Sequence, residues 1–237
     1  MDGLIAMDEA RALVGNAALW PRVRDFLWDF AGQVHPSWLE GLDNLELLEQ
    51  RAQASGLANL DSPRVKRYIL ESLGVEPCFH AFPKEDGSRL LLLDGATLEG
   101  IVRWLGALAC AEELRRITDG ATIRALKAAL PGVYPDVFGY TAYFAFGSYL
   151  SHAETQSKQR LDESIVRAGH EILFSIVANQ SAALVSRFKL KLPKNLCGLC
   201  LSATLRETEK SRGEIKFSAV LKLLKLKFPE AYSLCCS

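Results

Sequence analysis

The sequence predicts an all-α protein, mainly helical and compact, with at most one short β segment near residues 187–192. Three observations carry this. Apolar residues recur at three- and four-residue steps through most of the chain. Glycine and proline close several of those runs. Of the 237 residues, 49% are apolar, enough for a sizeable core. A single domain over residues 1–237 is expected, with a basic C-terminal segment at 187–237.

Between Asp8 and Phe30 the apolar positions fit two short helices broken at Pro21. Residues 33–39, Gln-Val-His-Pro-Ser-Trp-Leu, read as a turn, because a residue before proline avoids helical geometry. Leu42, Leu45, Leu47 and Leu48 suggest another short helix, and Gly56 to Pro63 a loop. Val65, Ile69, Leu70 and Leu73 share a face that ends at Gly74, a C-capping glycine. Gly74 to Ser88, with Pro77, Pro83 and Lys84-Glu85-Asp86-Gly87, reads as irregular and exposed.

The clearest helix spans about Thr97 to Ile117, with Leu98, Ile101, Val102, Leu105, Leu108 and Ala109 inward and Arg103, Glu112, Glu113 and Arg116 elsewhere. Asp119-Gly120 turns the chain into a second helix, Thr122 to Leu130, stopped by Pro131-Gly132; the two form a helical hairpin. The aromatic stretch Tyr134 to Leu150 is expected to be an apolar helix, with a strand as the alternative, and a long helix is expected from Leu161 to Ser186. Arg187-Phe188-Lys189-Leu190-Lys191-Leu192-Pro193 alternates with period two, which favours a short extended segment with its lysines outward. Phe217, Val220, Leu221, Leu224 and Phe228 share a helical face opposite Ser218, Lys222 and Lys225, although Leu224 to Phe228 also alternates in strand fashion.

Function classes narrow by absence. Met1-Asp2-Gly3-Leu4 and the acidic pair Asp8-Glu9 do not make a secretory signal. The most apolar stretches, Leu90 to Leu93 and Tyr140 to Phe146, end well short of the roughly 18 residues that a membrane span needs. Six cysteines are too few for a disulfide scaffold of this length and fit reduced thiols in a cytosol. His35, His80, His152 and His170 are scattered, and no phosphate loop or nucleophile elbow is present. No catalytic set, cofactor site or metal site is therefore expected. Cys197-Gly198-Leu199-Cys200 has the spacing of a redox pair or half a zinc site, and Cys235 and Cys236 are the cysteines it would recruit. Adjacent cysteines point apart and make poor joint ligands, so this thiol or metal reading is the weaker alternative.

Charge is unevenly divided. Residues 187–237 hold 11 Lys and Arg against 4 Asp and Glu, a net of +7 that leaves −7 for residues 1–186. A basic end of this kind suits an acidic protein partner, a nucleic acid or an anionic membrane surface. Docking to an acidic protein surface is the preferred reading, because Phe188, Phe217 and Phe228 suit inward positions better than exposed stacking ones.

The block from Gly95 to Leu108, continuing through Glu113-Leu114-Arg115-Arg116-Ile117, Asp119-Gly120 and Ile123-Arg124-Ala125-Leu126-Lys127, resembles the middle of the SctK family, which includes YscK and PscK. These are sorting-platform adaptors of bacterial type III secretion systems. His35-Pro36-Ser37-Trp38-Leu39 is similar to a motif near the family's N-terminus, and residues 187–193 to its late basic-leucine run. The resemblance covers residues 26 to 194 in patches and leaves Leu196 to Ser237 outside it. It implies a helical protein without enzymatic activity at the cytoplasmic face of the inner membrane. Such proteins link the cytoplasmic domain of the inner-ring protein SctD to the pod protein SctQ. The candidate partner-binding residues on the matched block are the outward Arg115, Arg116, Arg124 and Lys127, while Gly106 and Gly120 are assigned to close helix packing and to the turn.

Overall fold

The computed structural model describes residues 19–43, 50, 62–76, 82, 87–144, 161–195 and 217–236. Ten α-helices follow one another among these residues, and no strand occurs: α1 Trp20–Leu27, α2 Pro36–Leu39, α3 Pro63–Ser72, α4 Gly95–Ala109, α5 Ala111–Arg115, α6 Gly120–Ala129, α7 Leu161–Val177, α8 Ala182–Leu190, α9 Phe217–Lys227 and α10 Pro229–Cys236. Short 3-10 turns at Phe30–Gln33, Ser88–Leu92, Asp136–Gly139 and Thr141–Tyr143 complete the order. The fold class is all-α.

Local chemistry explains many of the boundaries. Pro21 lies in the first turn of α1, where its missing N–H costs nothing, so it starts a helix instead of breaking one. The helix expected before it lies outside the described residues. At the end of α3, Val75 N–H donates to Leu70 O and Gly74 N–H to Glu71 O, with Gly74 at φ +63°. This paired 6→1 and 5→2 closure is the Schellman arrangement expected of a capping glycine. The Asp119 carboxylate accepts from the Thr122 N–H at 2.9 Å and from its hydroxyl at 2.6 Å, capping α6 at the expected turn.

The chain divides into two compact units. The first comprises Met1–Gly95, Gln180–Lys194 and Glu230–Ser237. Its core is aromatic: Phe26 meets Phe30 and Phe82 edge to face at 5.5 and 5.7 Å, and all three are fully buried with Ile69, Leu90 and Phe188. The second comprises Ala96–Asn179 and Asn195–Pro229, with Ile101, Leu105, Ile165, Ile172 and Leu224 fully buried. There α4 and α7 cross with backbone against backbone. A Cβ added to Gly106 would run into Ile165 O, and one added to Gly169 into Val102 O. Gly106 serves close packing, as expected, and Gly169 is its counterpart.

Several sequence expectations are corrected. The extended segment at residues 187–192 is absent: α8 runs to Leu190, and a helical-type cap at Lys191 ends it. Burial at Leu184, Arg187, Phe188 and Lys191 follows the helical period, so Lys191 points inward. The long helix from Leu161 to Ser186 is two helices, parted at Ala178-Asn179-Gln180-Ser181, where asparagine and serine favour a helix end and a cap. The Thr97 to Ile117 helix is two helices parted at Cys110, whose backbone (φ −104°, ψ 10°) leaves helical geometry; residues 104–111, on both sides of the break, are all buried, and so is Glu113. Tyr134 to Phe144 is a pair of 3-10 turns, not an α-helix, with Pro135 and Gly139 interrupting; the rest of that stretch lies outside the described residues. Phe82 and Ser88 are buried, although their segment was expected to be exposed. In residues 33–39 the 3-10 turn Phe30–Gln33 ends, Val34 and His35 are extended, and Pro36–Leu39 makes one helical turn.

Candidate functional site

Two of the three resembling blocks, about 150 residues apart in sequence, meet in the first unit. His35 caps α2: its ring Nδ1 lies 2.8 Å from the Ser37 hydroxyl and 3.2 Å from the Ser37 N–H. From there the chain is tied to the end of α8. His35 N–H donates to Leu190 O at 2.7 Å, Trp38 Nε1–H to Leu192 O at 2.8 Å, and Lys194 N–H to the Ser37 hydroxyl at 2.9 Å. The Lys194 ammonium lies 5.6 Å from the Trp38 ring centroid. The histidine, serine and tryptophan of the early motif thus act as a clasp on the late one.

Arg187 on α8 and Lys191 at its C-cap, one turn apart, face inward and complete the ends of other elements. Arg187 Nη1 donates to Phe26 O at 2.7 Å and Leu27 O at 3.1 Å, the last carbonyls of α1, and Nη2 donates to Glu76 O at 2.8 Å. A helix C-terminus leaves carbonyls unpaired and carries partial negative charge, so a buried guanidinium is well placed there. Lys191 Nζ donates to Leu91 O at 2.6 Å and Leu93 O at 2.8 Å, at the end of a 3-10 turn, and lies 4.7 Å from the Phe26 ring. Burial lowers the Lys191 ammonium to about pKa 7; Asp94 opposes that shift and Arg22 adds to it. These cations are structural, and the helical spacing Leu184, Phe188, Lys191 is the signal that would have marked Lys191 as inward.

Arg115, Arg116, Arg124 and Lys127 are all exposed on α5, its cap and α6. Arg115 is not idle: its Nη2 donates to the Thr141 hydroxyl at 2.6 Å and to Phe138 O at 3.3 Å, and its guanidinium lies over the Phe138 ring at 5.6 Å. The sequence reading missed Lys227. Its ammonium sits 4.3 Å from the centroids of both Trp104 and Tyr140, rings that meet edge to face at 5.6 Å. Nothing in the local sequence marks that residue, since its ring partners come from α4 and a distant turn.

The other candidate chemistry does not converge among the described residues. No group of three His, Cys, Asp or Glu side chains could hold a metal there. Cys197 and Cys200 lie outside the described residues. Cys235 is buried and Cys236 partly buried, both as free thiols, and burial with the neighbouring Cys236 pushes the Cys235 thiol up to about 12, so it stays protonated and unreactive near neutral pH. His170 is buried with Nδ1 on Val166 O at 2.9 Å, and burial lowers its pKa, leaving a neutral core imidazole. No described helix is long and apolar enough to cross a membrane.

Comparison with known proteins gives no match among curated sequences or solved structures. The family model described as "YOP proteins translocation protein K (YscK)" matches residues 31–235. That span takes in the clasp and the exposed cations, and it also reaches past residue 194, where the sequence resemblance stopped, to include α9 and most of α10. The chain belongs to the YscK family and is a type III secretion protein.

Proposed function

We propose that this protein is a non-enzymatic adaptor of the type III secretion sorting platform, linking the cytoplasmic domain of the inner-ring protein SctD to the pod protein SctQ at the cytoplasmic face of the inner membrane. The family match over residues 31–235 carries this reading. Its physical support is a helical body whose four candidate contact cations, Arg115, Arg116, Arg124 and Lys127, are exposed and have no salt-bridge partner among the described residues. Cations placed so mainly raise association rate and select the partner, and add less to affinity. In the test, the purified chain is assayed for binding to each of the two secretion components. Reversing charge at Arg115 with Arg116, or at Arg124, is expected to weaken one of the two interactions with the circular dichroism spectrum unchanged. Failure of the wild-type chain to bind either component overturns the proposal.

A further inference from the structure

The 3-10 turns at residues 136–143 gather a second kind of surface within the second unit. Arg115 holds Phe138 and Thr141, and Lys227 lies against Tyr140, between them in sequence. Two cations are thereby fixed on one short loop. Neither has a salt-bridge partner among the described residues, although Glu112 and Asp136 are exposed close by in sequence. Exposed large hydrophobic side chains lie near both cations' loop partners or positions in sequence. Only three such side chains are exposed among the described residues, and two are here: Tyr143 at 68%, two residues beyond Thr141, and Leu226 at 50%, next to Lys227. Arginine and aromatic side chains are the types that dominate binding energy at protein interfaces. Cations already held over rings lose little conformational freedom when a partner carboxylate arrives.

We propose that Arg115, Lys227, Tyr143 and Leu226 make one surface that docks an acidic segment of a partner protein that also offers an apolar side chain. The carboxylates pair with the two ring-held cations, and the apolar group lies against Tyr143 or Leu226. A polyphosphate fits less well. A cation already lies over Phe138, Trp104 and Tyr140, which leaves Tyr143 as the one exposed ring here, where nucleic-acid binding uses several in succession, and residues 1–186 carry a net charge of −7. The inference stands apart from the identity of the two secretion components.

The test uses the full chain and fluorescence anisotropy with a labelled short peptide rich in Asp and Glu that carries a central Leu and Phe. The same peptide with Asn and Gln in place of the acids, oligo(dT) and phosphatidylglycerol vesicles serve as competing probes. The acidic peptide is expected to bind with Kd below about 1 mM. Arg115→Gln with Lys227→Gln, and separately Tyr143→Ser with Leu226→Ser, are expected to weaken binding by about 10-fold or more, a difference of about 1.4 kcal/mol or more. Arg64→Gln in the other unit leaves it unchanged. The second pair changes only exposed side chains, so it remains decisive if the first unfolds. No binding by the wild-type chain, equal binding by the Tyr143/Leu226 variant, or tighter binding of oligo(dT) or vesicles overturns the proposal. Because no secretion component enters this assay, its failure leaves the adaptor reading intact, and loss of binding to SctD and SctQ leaves the peptide result intact.

Discussion

Lys191 shows how a basic residue becomes part of a core. A long apolar stem crosses the interior, and the amine ends on two carbonyls that no helix hydrogen bond uses. Its pKa in the fold, about 7, lies below the ordinary 10.5. Between those values the unfolded chain holds a proton that the folded chain has released, so stability rises with pH through this window and the cost of burying the charge is fully present below it. For one proton the slope cannot exceed about 1.4 kcal/mol per pH unit. Urea unfolding measured from pH 7 upward is expected to show this rise in the wild type, and Lys191→Met is expected to remove it. A parallel pH profile in the two proteins would show that the ammonium stays charged in the fold.

Among the elements, the crossing of α4 and α7 has the least tolerance. Gly106 and Gly169 each face the partner helix's backbone, and a main chain cannot move aside as a flexible side chain can. Each alanine substitution is expected to cost about 3 kcal/mol, the upper end of the usual overpacking range, read as a lowered urea midpoint. The double variant should cost less than the sum, because once one methyl has parted the helices the second meets less resistance. Gly120→Ala provides the contrast. Its added Cβ would find only the Arg124 guanidinium, at 3.6 Å, and a helical position gains by up to about 1 kcal/mol from the change. The turn before α6, the α3 terminus and the role of Gly106 were legible in the sequence because local spacing and residue type determine them. The break at Cys110 and the nature of α8 were not. Alternation in Arg187–Pro193 suits a strand only if a partner strand supplies hydrogen bonds, whereas a helix supplies its own.

For the whole molecule, the basic C-terminal segment is less of a charged surface than its count of residues suggests. Arg187 and Lys191 are buried, so two of the cations behind its net +7 never face a partner. Those that remain exposed act over a Debye length of about 8 Å at physiological salt. Raising salt is therefore expected to slow association with an acidic partner several-fold while leaving dissociation nearly unchanged, measurable by surface plasmon resonance; a salt-driven rise confined to the off-rate would contradict electrostatic steering. The helical class, the Gly74 cap and the family follow from the sequence, because helix periodicity, capping chemistry and motif order are properties of neighbours along the chain. Only the tertiary structure decided that His35, Ser37 and Trp38 clasp residues 190–194, that Arg187 and Lys191 cap other elements from within, and that Lys227 meets Trp104 and Tyr140. Each of those contacts joins side chains or carbonyls from 87 to more than 150 residues apart, and long polar side chains have no fixed direction until the fold supplies the group they must satisfy.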